Sequence, residues 1–147
     1  MSPKTLGRIL DITNNLKDLP DGKNRHFSFI VHRNSIVSMG FNNSYKTHPL
    51  AKICDYRFNS IHSELSALIK LRLKKDNLSI LRNCSLVNTR INRFGDFGIS
   101  KPCENCLKWV SIIGFKDIYY TNNSGKFEKL YETDRTVASF DILPFVI

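Results

Sequence analysis

Two short motifs bring together residue types that bind transition metals and transfer protons. The first is His62-Ser63-Glu64, and the second is Pro102-Cys103-Glu104-Asn105-Cys106, in which Cys103 lies 41 positions after His62. A histidine and two cysteines can hold a zinc ion and leave its fourth position open for water. Glu64 is too close to His62 to be a fourth ligand, and its carboxylate can move protons for that water. The spacing therefore predicts a catalytic zinc site with His62, Cys103 and Cys106 as ligands.

Each motif taken alone has a less specific interpretation. A C-x-x-C pair also occurs as a redox dithiol, and His62 and Glu64 could be ordinary surface residues. A closed structural zinc site is disfavoured, because no fourth Cys or His stands at a usual spacing. Both motifs stand at expected helix starts, where positive potential lowers the pKa of a thiol. On an ideal helix His62 and Glu64 would point about 200° apart, so we expect them to converge only at the helix tip.

The composition is that of a globular protein with a substantial core. Of 147 residues, 41% are hydrophobic and ten are Phe, so we expect a single domain over residues 1–147. No run approaches the roughly 18 apolar residues of a membrane span, and the first residues do not resemble a secretory signal. We therefore expect a cytoplasmic protein with no membrane partner. In that setting the C-x-x-C pair favours metal or redox chemistry, and Cys54 and Cys84 are expected to be buried.

The charge balance favours an anionic partner. The formal net charge is +9 on 17.0 kDa, with a pI of about 9.6, which suits phosphate contacts and counterion release. The basic residues occur in short groups, such as Lys74-Lys75 and Arg90 with Arg93, and no long basic run is present. They could line a groove for nucleic acid, or they could form an ordinary solvated surface.

Hydrophobic periodicity and turn residues predict the elements that would position the motifs. The spacing predicts a first helix from Leu6 to Leu16, strands Phe27–Val31 and Ile36–Phe41 joined as a hairpin at 33–35, and a long polar connection over 42–59. A second helix is expected from Ile61 to about Lys75, with Asn59 or Ser60 as its N-cap. There follow a strand over 83–90, a helix from Pro102 to Gly114, and strands 117–121 and 126–131 around a turn at 122–125. The order α-β-β-α-β-α-β-β predicts an α/β sandwich with helices on a central sheet.

At the residues of the two motifs, the chain resembles the cytidine deaminase-like superfamily of zinc hydrolases. The resemblance runs from about Phe27 to Tyr131, and its H-x-E and P-C-x-x-C signatures are those of zinc deaminases of nucleobases. It implies a three-layer α-β-α sandwich with a mixed five-stranded sheet and an antiparallel C-terminal strand. It also implies that His62, Cys103 and Cys106 hold zinc, while Glu64 carries protons during hydrolysis of an amidine C–N bond.

The resemblance extends to several substrate-binding candidates. Gly40-Phe41-Asn42 looks like the Gly-aromatic-Asn turn of the family, which makes Asn42 a ligand for the sugar or base, with Phe41 beside it. The following stretch is longer than in many relatives, and Thr47 and His48 in it are candidates for the pocket. Ser100 and Phe97 are further candidates before the cysteines. Phe97 and its neighbour Phe94 flank a glycine turn and could stack on a base.

The same comparison favours cytosine as the base. Ser100-Lys101-Pro102-Cys103 is similar to the segment before the cysteines in cytosine-acting members, whereas adenosine-acting relatives more often have Glu-Pro-Cys. The short turn at 122–125 places the chain with the branch that contains free cytidine deaminases and DNA- or RNA-acting deaminases.

Three functions remain open from the sequence. The favoured one is deamination of cytosine to uracil in single-stranded DNA or RNA, which the net charge and the aromatic residues support. An alternative is a free cytidine, deoxycytidine or dCMP deaminase, with Arg90 or Arg93 on the phosphate, and a chain of this length could form a homo-oligomer. The third is a non-catalytic, zinc-bearing nucleic-acid binder, against which Glu64 argues because a binding module needs no proton carrier.

Overall fold

A computed structural model describes residues 1–18, 25–42, 61–73 and 75–130. The described residues form helix α1 (Pro3–Leu16), strands β1 (Arg25–His32) and β2 (Ser35–Phe41), helix α2 (Ser63–Leu71), a 3-10 segment (Lys75–Asn83), strand β3 (Cys84–Ile91), helix α3 (Glu104–Ile113), and strands β4 (Asp117–Thr121) and β5 (Phe127–Leu130). The predicted order of helices and strands is confirmed. None of the helices in these ranges has the length and apolar composition needed to cross a membrane.

The five strands form one mixed sheet in the order β2-β1-β3-β4-β5. Neighbouring strands are antiparallel except for β3 and β4, which are parallel. The chain connects these two parallel strands through α3, as a crossover connection requires. The last strand, β5, is antiparallel to its neighbour β4. The predicted mixed five-stranded sheet with an antiparallel last strand is therefore confirmed.

The two faces of the sheet carry separate apolar clusters. Because successive side chains of a strand point to opposite faces, Phe27 and Phe29 of β1 pack with Ile9 of α1. Ile30 of the same strand packs in the other cluster, to which helices α2 and α3 contribute. That second cluster contains the following fully or largely buried helical residues: Leu65, Ala67, Leu68, Cys106, Leu107, Trp109, Val110 and Ile113. Helices on both faces give an α/β arrangement compatible with a three-layer sandwich.

The hairpin between β1 and β2 turns at Arg33 and Asn34. Both have positive φ, 48° and 62°, which is the backbone conformation of the two-residue turn that matches the twist of paired strands. The Asn34 Oδ1 accepts hydrogen bonds from the Ser2 backbone N–H and the Thr5 hydroxyl at the start of α1. The predicted hairpin is confirmed, and it also fixes the beginning of the first helix.

Helix α2 lies unusually close to strand β2 at Gly40. A Cβ atom built on Gly40 would be 2.3 Å from the Ala67 nitrogen and 2.7 Å from the Ser63 carbonyl oxygen. Those atoms belong to the backbone of α2, so no side chain can move aside to make room. The helix that follows His62 therefore sits at this height above the sheet because position 40 has no side chain.

Several helix boundaries differ from the sequence prediction: α1 begins at Pro3 instead of Leu6, and α2 begins at Ser63 instead of Ile61. Helix α2 ends at Leu71, not near Lys75, because Arg72 adopts the left-handed conformation with φ of 49° and its N–H bonds the Ile69 carbonyl. Helix α3 begins at Glu104, not at Pro102, because Cys103 is extended and acts as the N-cap. The predicted end of α3 at Gly114 is confirmed, with φ of 81°.

Candidate metal centre and proton carrier

The two motifs of the sequence meet at the N-termini of two helices. His62 is the N-cap of α2, and Cys103 is the N-cap of α3. The predicted N-cap of α2, Asn59 or Ser60, is therefore replaced by His62, whose ring makes no capping hydrogen bond. The Cys103 Sγ instead accepts from the Cys106 N–H at 3.4 Å. As extended residues just outside the helices, His62 and Cys103 are free to project toward each other rather than along a helix side.

The three predicted metal ligands come together closely enough to hold one metal ion. The His62 Nδ1 lies 3.5 Å from the Cys103 Sγ and 3.5 Å from the Cys106 Sγ, and all three ligand atoms lie within 4.8 Å of one another. Tetrahedral zinc with bonds of about 2.3 Å to sulfur and about 2.0–2.1 Å to nitrogen would place nitrogen about 3.6 Å from each sulfur. The donor set and its geometry fit a zinc ion with three protein ligands.

The electrostatics of the cluster favour anionic sulfur at its exposed edge. A hydrogen bond with the Cys106 thiol, reinforced by His62, lowers the pKa of Cys103 to about 4, although partial burial acts in the opposite direction. Burial opposes the charged form of His62, but the hydrogen bond and charge of Cys103 raise its pKa. Burial also raises the pKa of Cys106 well above that of a free thiol. Cys103 is exposed and Cys106 is buried, so the cluster opens toward solvent on the Cys103 side.

Glu64 lies in the first turn of α2 and is 5% exposed. Its Oε1 accepts hydrogen bonds from the Asn88 side-chain amide and from the Ser63 hydroxyl, both at 3.1 Å. Burial raises the pKa of Glu64, while a hydrogen bond with Cys106 acts to lower it. The buried carboxyl group therefore contacts the cluster through Cys106, from the interior side.

Hydroxyl groups below Glu64 form a short chain of contacts. The Ser28 Oγ lies 2.7 Å from both the Ser63 Oγ and the Asn88 Oδ1, and Ser63 in turn contacts Glu64. Two hydroxyl protons serve these three contacts, because each serine has a single O–H. A proton on the Glu64 carboxyl would complete the set, whereas in the ionised form one contact lacks its proton. These three contacts are therefore all satisfied only when the Glu64 carboxyl group carries a proton.

Three residues near the site were not singled out from the sequence. Asn88 bonds Glu64 directly, Ser28 bonds Asn88 and Ser63, and His26 is electrostatically coupled to His62 and Cys103. Burial, followed by the charges of Arg90 and His62, lowers the pKa of His26 to about 4. A signal was present for Ser28, which is polar and lies between Phe27 and Phe29, but was weaker for Asn88, which lies between Val87 and Thr89. Only strand pairing, which sets Ser28 opposite Asn88, shows that they act together.

Asn42 and Phe41 lie at the end of β2. The Asn42 Oδ1 accepts from the His26 N–H at 2.9 Å, and the Asn42 N–H donates to the His26 carbonyl at 3.2 Å. These bonds hold Asn42 against the strand of His26, beside the site. Phe41 instead packs against Phe27 in the cluster beneath α1, with ring centroids 6.3 Å apart. The substrate contacts proposed for both residues remain predictions, and the described contacts give Phe41 a packing role.

Ser100 is buried and belongs to the framework of the site. Its hydroxyl donates to the Asn88 carbonyl at 2.7 Å and lies 2.9 Å from the Thr121 hydroxyl, and its carbonyl accepts from the Asn88 amide at 3.2 Å. These bonds fasten the segment before Cys103 to β3 and β4. Its predicted contact with substrate is untested, as are those of Thr47 and His48, which lie outside the described residues.

Phe97 lines an open cleft of about 480 Å³ between two turns. The turns follow β3 and β4, and in each one an asparagine, Asn92 or Asn122, accepts backbone N–H bonds through its side chain. The other lining residues are Asn92, Asp96, Asn123 and Ser124. Phe94 in the first turn is 74% exposed, and the Arg93 guanidinium lies 4.8 Å from its ring centroid. An aromatic and cationic surface therefore stands on the loop that leads to Cys103.

Comparisons with protein-family models and with the sequences of curated proteins find no match to this chain. The resemblance to zinc deaminases accordingly depends on the residues of the two motifs.

Proposed function

We propose that this protein is a zinc-dependent hydrolase that deaminates cytosine to uracil, with cytosine in single-stranded DNA or RNA as the favoured substrate. One observation carries the proposal: the His62 Nδ1 is 3.5 Å from both cysteine sulfurs while the buried Glu64, two residues away, contacts the same cluster. Three ligands and an adjacent carboxyl group suit a hydrolytic metal site. A redox dithiol would need neither His62 nor Glu64.

Zinc, when bound, would supply the Lewis acidity that makes water a nucleophile near neutral pH. The protein's own contribution is proton transfer and positioning. Glu64 accepts a proton from the attacking water and delivers it to N3 of cytosine. It then takes the remaining proton from the hydroxyl added at C4 and passes it to the exocyclic amine, so that the C4–N4 bond breaks, ammonia leaves and the C4 carbonyl of uracil forms. Its Oε1 is held by Ser63 and Asn88, so the carboxyl group is oriented before substrate arrives. Burial of Glu64 keeps bulk water from competing for these protons.

The preference for a polymer is supported by the aromatic and cationic surface on the loop before Cys103. Arg93 stacks on the exposed Phe94 ring, and both residues precede Cys103 on the same loop. Aromatic rings stack on unpaired bases with little regard to sequence, and guanidinium groups bind phosphates. The net charge of +9 acts in the same direction by releasing counterions from the nucleic acid.

The test is to incubate the protein with cytidine, dCMP and a single-stranded oligonucleotide at matched cytosine concentration and to measure uracil. We expect faster deamination of the oligonucleotide, and slower deamination of a duplex because extrusion of a base costs about a few kcal/mol. Activity on the oligonucleotide should fall steeply from low to physiological salt, while activity on cytidine should barely change. Glu64→Gln protein is the control for contaminating deaminases.

The other outcomes are equally informative. Rapid turnover of cytidine or dCMP with no uracil in the oligonucleotide would support the free-nucleotide alternative. Zinc-loaded protein that binds the oligonucleotide but forms no uracil from any of the three substrates would contradict deamination and support a zinc-bearing nucleic-acid binder.

A further inference from the structure

Asn88 occupies a central place on the face of the sheet that carries the metal cluster. It lies on β3 opposite Ser28 of β1 and is 2% exposed. The next residue with the same orientation toward the core is Leu86, which packs with Ile30 in the apolar cluster beneath α2 and α3. An amide in this position would be costly to bury without partners, so its hydrogen bonds decide what it does.

The Asn88 side-chain amide uses both its nitrogen and its oxygen in hydrogen bonds. Its Nδ2 donates to the Glu64 Oε1 at 3.1 Å and to the Ser100 carbonyl at 3.2 Å, and its Oδ1 accepts from the Ser28 hydroxyl at 2.7 Å. These contacts fix the direction of the amide. If the group were flipped, its oxygen would face a carboxyl oxygen and a carbonyl oxygen, which are both acceptors.

The two donor bonds of Asn88 join the two halves of the site. Glu64 belongs to the His62 motif on α2, whereas Ser100 belongs to the segment that leads to Cys103. The two segments are 36 positions apart in sequence at Glu64 and Ser100, and the Asn88 amide bonds both at once. A single side chain on β3 therefore sets the carboxyl group in register with the loop that carries the ligand cysteines.

We propose that Asn88 is a positioning residue that holds the Glu64 carboxyl group in place relative to Cys103 and Cys106. Its contribution to turnover rests on the proposed function, whereas its effect on the position of Glu64 does not. The side-chain hydrogen bonds of Asn88 go to Glu64, Ser100 and Ser28 and to none of the three predicted metal ligands. Asn88 therefore acts through Glu64. Loss of its amide N–H groups leaves zinc bound and releases the carboxyl group from its single orientation.

The first experiment measures position without substrate. Crystal structures of zinc-loaded wild type, Asn88→Ala and Asn88→Asp are compared, with zinc content and Tm measured on the same samples. Asn88→Asp keeps the shape but puts an acceptor where the amide donates. We expect one zinc per chain in both variants, with the Glu64 carboxyl group displaced or in several rotamers. An unmoved Glu64 in either folded variant would overturn the proposal.

The matched control is Thr89→Ala. Thr89 is the next residue of β3, is fully buried, and bonds the Thr13 hydroxyl on the opposite face at 2.7 Å. The Thr89→Ala variant therefore loses a buried hydrogen bond made by the same strand, and the lost bond does not involve Glu64. We expect a lower Tm for Thr89→Ala with the Glu64 carboxyl group in its wild-type position. Displacement of Glu64 in this control as well would make the effect a general consequence of destabilising β3, and would overturn the proposal.

The second experiment is a double-mutant cycle on deamination. A misplaced carboxyl group can cost on the order of 10²-fold in rate, so we expect Asn88→Ala to lower kcat by roughly that factor with KM little changed. In the Glu64→Gln background, Asn88→Ala should cause almost no further loss, because the group that it positions has already been replaced. Independent, multiplying losses would overturn the proposal. If wild type deaminates nothing, the proposed function fails while the structural comparison still tests Asn88.

Discussion

Strands β1 and β3 present two chemically different faces to the two helical layers. Toward α1, Phe27, Phe29 and Val87 form a buried apolar cluster with Ile9. Toward α2, the paired residues Ser28 and Asn88 are polar and hydrogen-bonded to each other. The α1 face is mainly apolar, and its buried hydroxyl groups, those of Thr13 and Thr89, hydrogen-bond to each other. On the α2 face, polar residues stand at the centre of the sheet, and one of them, Asn88, donates a hydrogen bond to Glu64.

The difference shows that burial serves two purposes in one small sheet. On the α1 face, burial stabilises the fold through removal of apolar area from water. On the α2 face, burial changes the chemistry of the residues it covers, since it raises the pKa of Glu64 and that of Cys106. Substitutions on the two faces should therefore have separable effects on stability, zinc binding and turnover.

The largest effect is expected at a metal ligand of the α2 face. Cys106→Ser should lose zinc and much of the stability of the metal-loaded protein, because the free energy of metal binding is coupled to folding. The measurement is zinc content together with Tm. Cys84→Ala is the control, since Cys84 is buried in the same apolar cluster but lies outside the metal cluster. Wild-type protein that is active without zinc would contradict the metal site itself.

Glu64→Gln should separate catalysis from structure on the same face. General acid–base groups contribute roughly 10²- to 10⁴-fold to rate, so we expect a loss of turnover of that size with zinc and fold retained. Uracil formation and zinc content are measured on the same preparation. Turnover at the wild-type rate would refute the role of Glu64, and loss of zinc would make it a structural residue.

Ile9→Ala should lower stability and leave zinc binding and turnover unchanged, which is the opposite of the effect expected for Glu64→Gln. Ile9 of α1 is fully buried against β1 and β3, and truncation of such a side chain costs about 2–5 kcal/mol of unfolding free energy. Zinc content and turnover of the folded fraction should stay at wild-type values. Ile80→Ala, at an exposed position, is the control and should change stability by no more than about 0.5 kcal/mol. Loss of zinc in folded Ile9→Ala protein would show that the two faces are coupled.

A smaller effect is expected at Gly40, where α2 rests on β2. Gly40→Ala places a Cβ against the α2 backbone, and overpacking of this kind costs about 1–3 kcal/mol. Because the helix must shift, zinc affinity should fall as well. Gly7→Ala in α1 is the matched control: it has nothing within 4 Å and should stabilise the helix by up to about 1 kcal/mol. Denaturant unfolding and zinc titration of the two variants make the comparison; equal behaviour would refute the close-packing argument.

The sequence by itself determined the order of the helices and strands and predicted the three residues that meet in the candidate metal cluster. Periodicity and turn residues predicted the order of helices and strands, because both signals depend on residues that are close together in the sequence. The ligands His62, Cys103 and Cys106 were predicted from residue type and spacing, since zinc accepts few donor sets. The helix starts were less accurate at α3, because Cys103 caps the helix through its sulfur and Pro102 lies outside it.

Only the tertiary structure decided which residues surround Glu64. Ser28 and Asn88 are 60 positions apart and become partners through the register of β1 and β3, which no local pattern specifies. The same register places His26 where its charge is coupled to His62 and Cys103. A strand's side chains alternate between faces, so a shift of one position reverses their assignment. Strand pairing therefore decided which polar residues serve the site and which residues serve the core.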